Sequence, residues 1–570
     1  MNSQRSIIMQ GPDGVDWEFY SVPARRMLFC RRRIGSWLSP ERCLGGIPFV
    51  RVFYDGSFNE ECAPLESFRV EPDGNGFQIE LCSPESFFDP PPDHLEIPRS
   101  FQLPYGNPGN APGNESVFPL KHRIYLKIDD LPDNPRVLLI DGEELEFCEN
   151  LHFFTESAEK FSGNPVITPD FPYEKLPYGK GSVLLEDGMW RMWYRARETP
   201  GQSFPLGKME VEAENWQKFC NAAYAESSDG IHWVKPELNR VEYMGNTRNN
   251  LLPSIWMHAY VAQNPDPTVP ERRLLTPEKL EYDSFVPELI HTHFSKNGVD
   301  WETVTGSIDY SRGIRAFFGA FNSILYDEEE SSPERCWKAY GYFGTSPSRR
   351  CAGAWTSSDA IHWHSVPENP VLTPRHFDNS FIHDFCVWKD SGYYFGLLQY
   401  SKVKSRYDFI LAASRDGIHF NRIGDGLFLQ RGNPGEWDEA DLTGGVFSPV
   451  ENGNRLHFYY CSSDAEFKNP GIGLASCRKS RYAGLKAENK GAGRFRTRPF
   501  SLTGSCCLHF ELETGHAGSL KWTLLSMNGE KVAEGNDKHN TRLDHSGFFR
   551  LEICLCNGAK LYGFSFLRQA

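Results

Sequence analysis

A seven-residue pattern recurs four times through the middle of this chain, and it limits the folds open to it. The copies are Ser227-Ser228-Asp229-Gly230-Ile231-His232-Trp233, Ser295-Lys296-Asn297-Gly298-Val299-Asp300-Trp301, Ser357-Ser358-Asp359-Ala360-Ile361-His362-Trp363 and Ser414-Arg415-Asp416-Gly417-Ile418-His419-Phe420. They lie roughly 60 residues apart, a little above the usual period of a repeated β-blade. A strand delivers the Ser; Asp or Asn with Gly then makes a tight turn that tolerates positive φ. An apolar residue and an aromatic start the next strand and anchor it in the core. Strand-like runs precede every copy, among them Asn221-Ala222-Ala223-Tyr224-Ala225 and Ala352-Gly353-Ala354-Trp355-Thr356. The unit therefore predicts the outer hairpin of a four-stranded antiparallel sheet, an architectural feature set away from the axis where a propeller binds its ligand.

A fifth, degenerate copy follows. Gly471-Ile472-Gly473-Leu474-Ala475-Ser476-Cys477 resembles the strand before the turn, and residues 478–485 replace the turn and the aromatic. A last blade has to close the ring, which accounts for its departure. Five blades of roughly 65 residues each fill residues 161–487.

The rest of the composition agrees with an all-β chain. Aromatic residues make up 14% of it, and Gly (50) and Pro (39) are frequent, as expected for short half-buried strands joined by turns. A chain of 570 residues is too long for one hydrophobic core. Residues 1–160, with alternating runs such as Phe77-Gln78-Ile79-Glu80-Leu81, are expected to form an N-terminal β-rich domain. Residues 488–570 carry short strands with turn signals between them, such as Leu520-Lys521-Trp522-Thr523-Leu524-Leu525, and predict a C-terminal β-sandwich. The expected fold is all-β: a five-bladed β-propeller between these two domains.

Net charge is −15, which repels nucleic acid and anionic membranes and favours neutral partners. The 15 cysteines show no paired spacing of a zinc site and read as free thiols of a reducing compartment. Met1 to Gly14 hold no apolar leader. The expectation is a cytoplasmic protein without metal or cofactor. Phosphate-cradling loops, dinucleotide fingerprints and His-Glu-x-x-His motifs are missing from the sequence.

The motif Asn164-Pro165-Val166-Ile167, the strand Met189-Trp190-Arg191-Met192-Trp193-Tyr194, the repeats and the C-terminal module together resemble the five-bladed glycosidases of glycoside hydrolase families 32, 43 and 68, family 32 in particular. The resemblance covers the chain from about Arg136 onward. It implies that carboxylates stand just before the inner strands, one as nucleophile or base and one as acid, because glycoside cleavage must protonate the leaving oxygen while the anomeric carbon is attacked.

Carried onto this sequence, the pattern selects Asp384 directly before an inner strand, with His383 beside it as a ligand for sugar hydroxyls. Glu439 and Asp441 compete for one role before the last inner strand, and Trp437 next to them offers a flat face to a sugar ring. Lys180-Gly181 occupies the first-blade position where an Asp is expected; the nearest acids are Glu174, a catalytic candidate, and Asp170, a substrate-binding one. Asn322 stands where the third blade has room for an acid, and Asn250 has the hydrogen-bonding capacity to bind hydroxyls. For each, a strand cap, a turn or a satisfied core group is the architectural alternative.

The expected function is hydrolysis of a terminal sugar, fructosyl or arabinofuranosyl by resemblance. Two alternatives stand beside it: a carbohydrate-binding propeller without catalysis, and a glycoside phosphorylase or transferase. Phosphorolysis needs basic residues at the channel, for which Lys180, Arg272-Arg273 and Arg349-Arg350 are the candidates.

Overall fold

The computed structural model describes residues 6–11, 14–22, 27–34, 37–39, 42–46, 49–54, 57–62, 68–74, 76–82, 121–127, 131–174, 181–197, 220–253, 260–279, 289–309, 317–346, 349–366, 368–372, 382, 384–403, 406–440, 446–466, 469–536 and 541–568. Apart from short 3₁₀ turns such as Pro172–Glu174, its regular elements are β-strands. No helix among the described residues is long and apolar enough to cross a membrane.

Five antiparallel meanders occupy the centre. The first contains Gly181–Glu186, Met189–Arg197 and Cys220–Ser227, with an outer bridge from Glu226 to Val234. The second contains Ala262–Gln263, Leu274–Lys279, Leu289–Ser295 and Trp301–Asp309, and the third Phe317–Tyr326, Trp337–Ser346, Arg349–Ser357 and His362–Ser365. A parallel contact between Trp301–Asp309 and His362–Ser365 joins these two into one sheet. The fourth runs Phe385–Asp390, Tyr393–Val403, Arg406–Ser414 and Asn421–Arg422. The fifth has Val450–Asn452, Arg455–Ser462 and Gly471–Arg478, and its outermost strand is Glu159–Lys160, from ahead of the first meander.

The repeated turns behave as their chemistry requires. Ser227 Oγ accepts from Gly230 N at 2.9 Å, and Asp229 Oδ1 accepts from the backbone of Ile231 and His232 at 2.8 Å each. Asp359 and Asp416 repeat this arrangement, and Asn297 does so with its amide oxygen. The fourth residue of every copy takes positive φ, as in Gly230 at 76° and Gly417 at 74°; Ala360 does so at 60° despite its side chain.

These turns also join one meander to the next. Trp193 donates to the Gly298 carbonyl at 2.7 Å, Thr292 to Ala360 at 2.7 Å, Tyr340 to Gly417 at 2.9 Å, and Tyr459 to Gly230 at 2.7 Å. In each case the donor belongs to the preceding meander, and the last bond ties the fifth to the first. Between the fourth and the fifth, the Ser480 amide donates to Asp390 at 2.8 Å, and the five meanders therefore form a closed ring. In the degenerate copy Ser480 holds the positive φ, at 63°. The chain then leaves the ring, and Glu159–Lys160 supplies the missing outer strand.

The expected domain limits are crossed by strand pairing. Arg136–Leu138 and Leu151–Thr155 join Ala483–Ala487, Cys506–Glu513, Thr541–Leu543 and Lys560–Arg568 in one six-stranded sheet. Leu145–Glu149 joins Ala492–Thr497, Phe500–Leu502, Ser519–Ser526, Lys531–Asn536 and Gly547–Cys556 in another. The two sheets share one buried cluster that includes Val137, Leu145, Leu485, Trp522 and Phe564. Residues 136–155, assigned from sequence to the N-terminal part, thus pair with the C-terminal strands, because their apolar faces complete that core. The N-terminal strands form separate sheets, two of which share a core around Phe19, Leu28, Phe77 and Ile79.

Candidate functional site

The inner strands share a polarity that defines two ends of the ring. At their hairpin ends stand Glu186, Asp327 and Asp390, each bonded onward in the chain. Glu186 takes Gln263 at 2.9 Å and Arg273; Asp327 takes Lys389; Asp390 takes the Ser480 amide at 2.8 Å. Toward the opposite, entry end lie Asn322 and Asp384, both buried.

There Asn322 Nδ2 donates to Asp384 Oδ1 at 2.6 Å, with the two residues 1% and 3% exposed. The Phe385 amide donates to Asn322 Oδ1 at 3.4 Å, so one side-chain amide links the third meander to the fourth. Tyr260, just ahead of the second meander's inner strand, hydrogen-bonds with Asn322. Burial, and then the Asp384 carboxylate, push its phenol well above the ordinary value, while Asn322 and the charge of Arg195 pull the other way. Arg195 comes from the first meander and is 5% exposed. The fourth, third and second meanders thus bring a carboxylate, an amide and a phenol together, with the charge of Arg195 from the first acting on the phenol. Gln399 is buried on the strand beside Asp384, and its backbone N–H donates to the Asp384 carbonyl at 3.2 Å. This set can bind hydroxyls and hold one negative charge close to them.

Glu174, Asp170 and Asn250 meet in a different place. Glu174 is 1% exposed; its Oε1 accepts from Tyr194, and its Oε2 from the Asp170 amide at 2.9 Å, the Phe171 amide at 3.2 Å and Lys235 at 2.8 Å. Lys235 also pairs with Asp170 at 2.7 Å. Asn250 accepts from Tyr173 at 2.7 Å and donates to Tyr194 at 2.9 Å and the Tyr224 carbonyl at 2.8 Å. Every oxygen of Glu174 is occupied by a protein donor, as befits a carboxylate that fixes the chain entering the first meander.

A second nest of this kind precedes the fifth meander. It centres on Asp438, the neighbour of the sequence candidates Trp437 and Glu439. Asp438 Oδ2 accepts from Lys160 at 2.6 Å and Tyr460 at 2.9 Å. Trp437 packs on the Tyr460 ring at 5.8 Å, and Glu439 accepts the Gly435 amide at 2.7 Å within an exposed turn. The pairs Tyr173-Glu174 and Trp437-Asp438 share an aromatic-acid signature, and each acid takes one lysine and one tyrosine. That repetition was the available signal. Arg195 and Tyr260 carried no motif and were missed.

Asp441, His383 and Lys180 lie outside the described residues, as do the side chains of Arg349 and Arg350. Arg273 bonds Glu186 and the Lys296 carbonyl, and Arg272 lies against Glu302 at 3.5 Å. Both stand at the hairpin end, away from Asp384.

The fold and site define an all-β protein with a closed ring of meanders around a buried polar cluster. No family model matches the chain, and no curated protein matches it. Among solved structures it is similar to the β-1,2-mannobiose phosphorylase from Listeria innocua, at 16% identity over 57% of this chain and 97% of that one, with a TM-score of 0.36. It is also similar to a family 43 arabinoxylan arabinofuranohydrolase from Bacillus subtilis, at 10% identity over 72% of this chain and 99% of that one, with a TM-score of 0.29. A thermostable family 43 glycoside hydrolase shares 12% identity over 52% of this chain and 88% of that one, with a TM-score of 0.34. At these values the architecture stands on this chain's own sheets and hydrogen bonds.

Proposed function

We propose that the five meanders are the blades of a β-propeller, that the two C-terminal sheets form a β-sandwich packed on one core, and that the entry end of the ring is the active site of a glycoside hydrolase. The observation that carries the functional reading is the placement of Asp384. It is a buried carboxylate just before an inner strand, held by Asn322 and surrounded by groups from three other meanders. Asp384 acts as the base or nucleophile at the anomeric carbon. Asn322 fixes the carboxylate by donating to one oxygen, and Tyr260, Gln399 and Arg195 surround the sugar with donors. A terminal furanoside, fructosyl or arabinofuranosyl, is the first substrate class to test.

The binding-module reading is favoured by one specific observation: Glu174 is saturated by protein donors and is not available as a partner acid. A panel of aryl furanosides and pyranosides separates the two readings. Turnover of at least one member supports hydrolysis. Saturable binding of free sugars without release of any aryl alcohol overturns it in favour of a lectin-like propeller.

A further inference from the structure

Two of the cysteines stand together on one strand. Cys554 and Cys556 belong to Gly547–Cys556, and their sulfurs lie 3.9 Å apart. We propose that they form a binding site for one soft cation of the monovalent copper class, on the outer face of a C-terminal sheet. The site is independent of the glycosidase reading of the ring.

The shared face follows from alternation and burial. Ile553 and Leu555 lie in the core common to the two C-terminal sheets, so the half-buried Cys554 and Cys556 point the other way. Gly547–Cys556 has a paired strand on each side. Register places Arg494 and Lys521 opposite Cys554, one on each flanking strand, and Ala492 and Ser519 opposite Cys556. Residues paired in this way lie on one face of the sheet. Two exposed cations therefore flank Cys554, and two small residues leave Cys556 open to approach. Arg494 shares its charge with Glu149, at 2.9 Å.

The sulfur spacing suits an ion between them. Two sulfurs each bonded at about 2.3 Å to one cation stand about 3.8 Å apart at a tetrahedral angle and about 4.6 Å apart when linear. The observed 3.9 Å lies within that span. Among the described residues no group of three or more His, Cys, Asp or Glu side chains meets to hold an ion. A structural zinc takes four such ligands; a soft ion that accepts two thiolates is the class this pair selects.

Binding replaces both S–H bonds by sulfur–metal bonds and releases two protons, with no electron transferred. Two thiolates and one monovalent ion carry a single net negative charge, which Lys521 and Arg494 offset. Burial, and then Cys556, raise the Cys554 thiol, while Lys521 and Arg494 lower it. The ion has to displace that proton, so uptake weakens as pH falls.

The test titrates the full chain, reduced and free of oxygen, with monovalent copper held by a coloured chelator, beside Cys554→Ser and Cys556→Ser. The natural protein should take up one more tightly held equivalent than either variant. In the variants the affinity for that equivalent should fall at least about 100-fold, since losing a ligand costs no less than losing a group that only supports one. A second measurement needs no variant and serves where a substitution impairs folding. With one equivalent of copper bound to the natural protein, peptide mapping should find Cys554 and Cys556 protected together from iodoacetamide. Equal uptake by the natural protein and both variants, or unchanged alkylation of the two cysteines, overturns the proposal.

Discussion

The Tyr459 hydroxyl donates to the Gly230 carbonyl at 2.7 Å, binding the last meander of the ring to the first. It is the counterpart of the Tyr340 bond to Gly417 at 2.9 Å between the third and fourth. Both tyrosines are buried, so removing the hydroxyl leaves a carbonyl without that donor. Tyr459→Phe and Tyr340→Phe should each lower stability by about 1 kcal/mol, seen as a lower urea midpoint with an unchanged slope. If the closing bond matters more than an internal one, Tyr459→Phe shows the larger shift.

The same turns make a backbone prediction. A Cβ on Gly417 would lie 2.7 Å from the Tyr340 hydroxyl, at a φ of 74°. Gly417→Ala should cost about 2 kcal/mol through left-handed strain and displacement of the tyrosine. Ala360, at φ 60°, is the natural counter-example. Ala360→Gly relieves its strain but loosens the unfolded chain, so its net effect should stay within about 1 kcal/mol. Thermal melts of both variants check this.

The turn at Asp141 to Glu144 is a junction between the C-terminal sheets and the fourth meander. Arg415, the variable second residue of the fourth repeat, clasps Asp141 through both nitrogens at 2.7 Å and also pairs with Glu144. On the other side Arg32 of the N-terminal sheet donates to the Glu143 carbonyl at 3.2 Å. Arg415→Ala leaves two buried carboxylates without their cation and should cost about 3 kcal/mol. A heat scan in which the C-terminal sheets melt apart from the ring would be the visible sign.

Acid should weaken the contact between the third and fourth meanders. Burial alone would raise the Asp327 carboxyl, but hydrogen bonds from Lys389 and Tyr394 overcome it and hold the group below its ordinary value of 3.8. A depressed folded value means that this stabilisation is present above pH 3.8 and is lost as pH falls below it through the folded value. Asp327→Asn should therefore be less stable at neutral pH and show a flatter decline below about pH 4, measured by urea unfolding at stepped pH.

The ring was legible in the sequence because each outer turn needs the same Ser, Asp and positive-φ residue, and because those needs are local. The degenerate copy was legible for the same reason, although Ser480 rather than Gly fills the position. Strand exchange was not legible: nothing local in residues 136–155 records that their apolar faces complete a core built more than 300 residues later, against Leu485, Trp522 and Phe564. The proposed site was half legible. Asp384 announced itself by standing before an inner strand with Asn322 available from the neighbouring one. Glu174 fitted the same verbal pattern, and its oxygens accept from Tyr194, Lys235 and two backbone amides. An acid ahead of an inner strand serves either purpose, and only its partners distinguish them. Arg195 sits on the second strand of its meander, where register, rather than any motif, fixes its face.

The most direct test of the account is turnover by Asp384→Asn on whichever aryl glycoside the natural protein cleaves, with Glu174→Gln alongside. Asp384→Asn should lose at least about 10³-fold in kcat while folding normally, in the range expected for removing a base or nucleophile. Glu174→Gln should melt earlier but keep kcat per folded molecule. Full activity in Asp384→Asn, or loss of kcat in a folded Glu174→Gln, would contradict the assignment of the site.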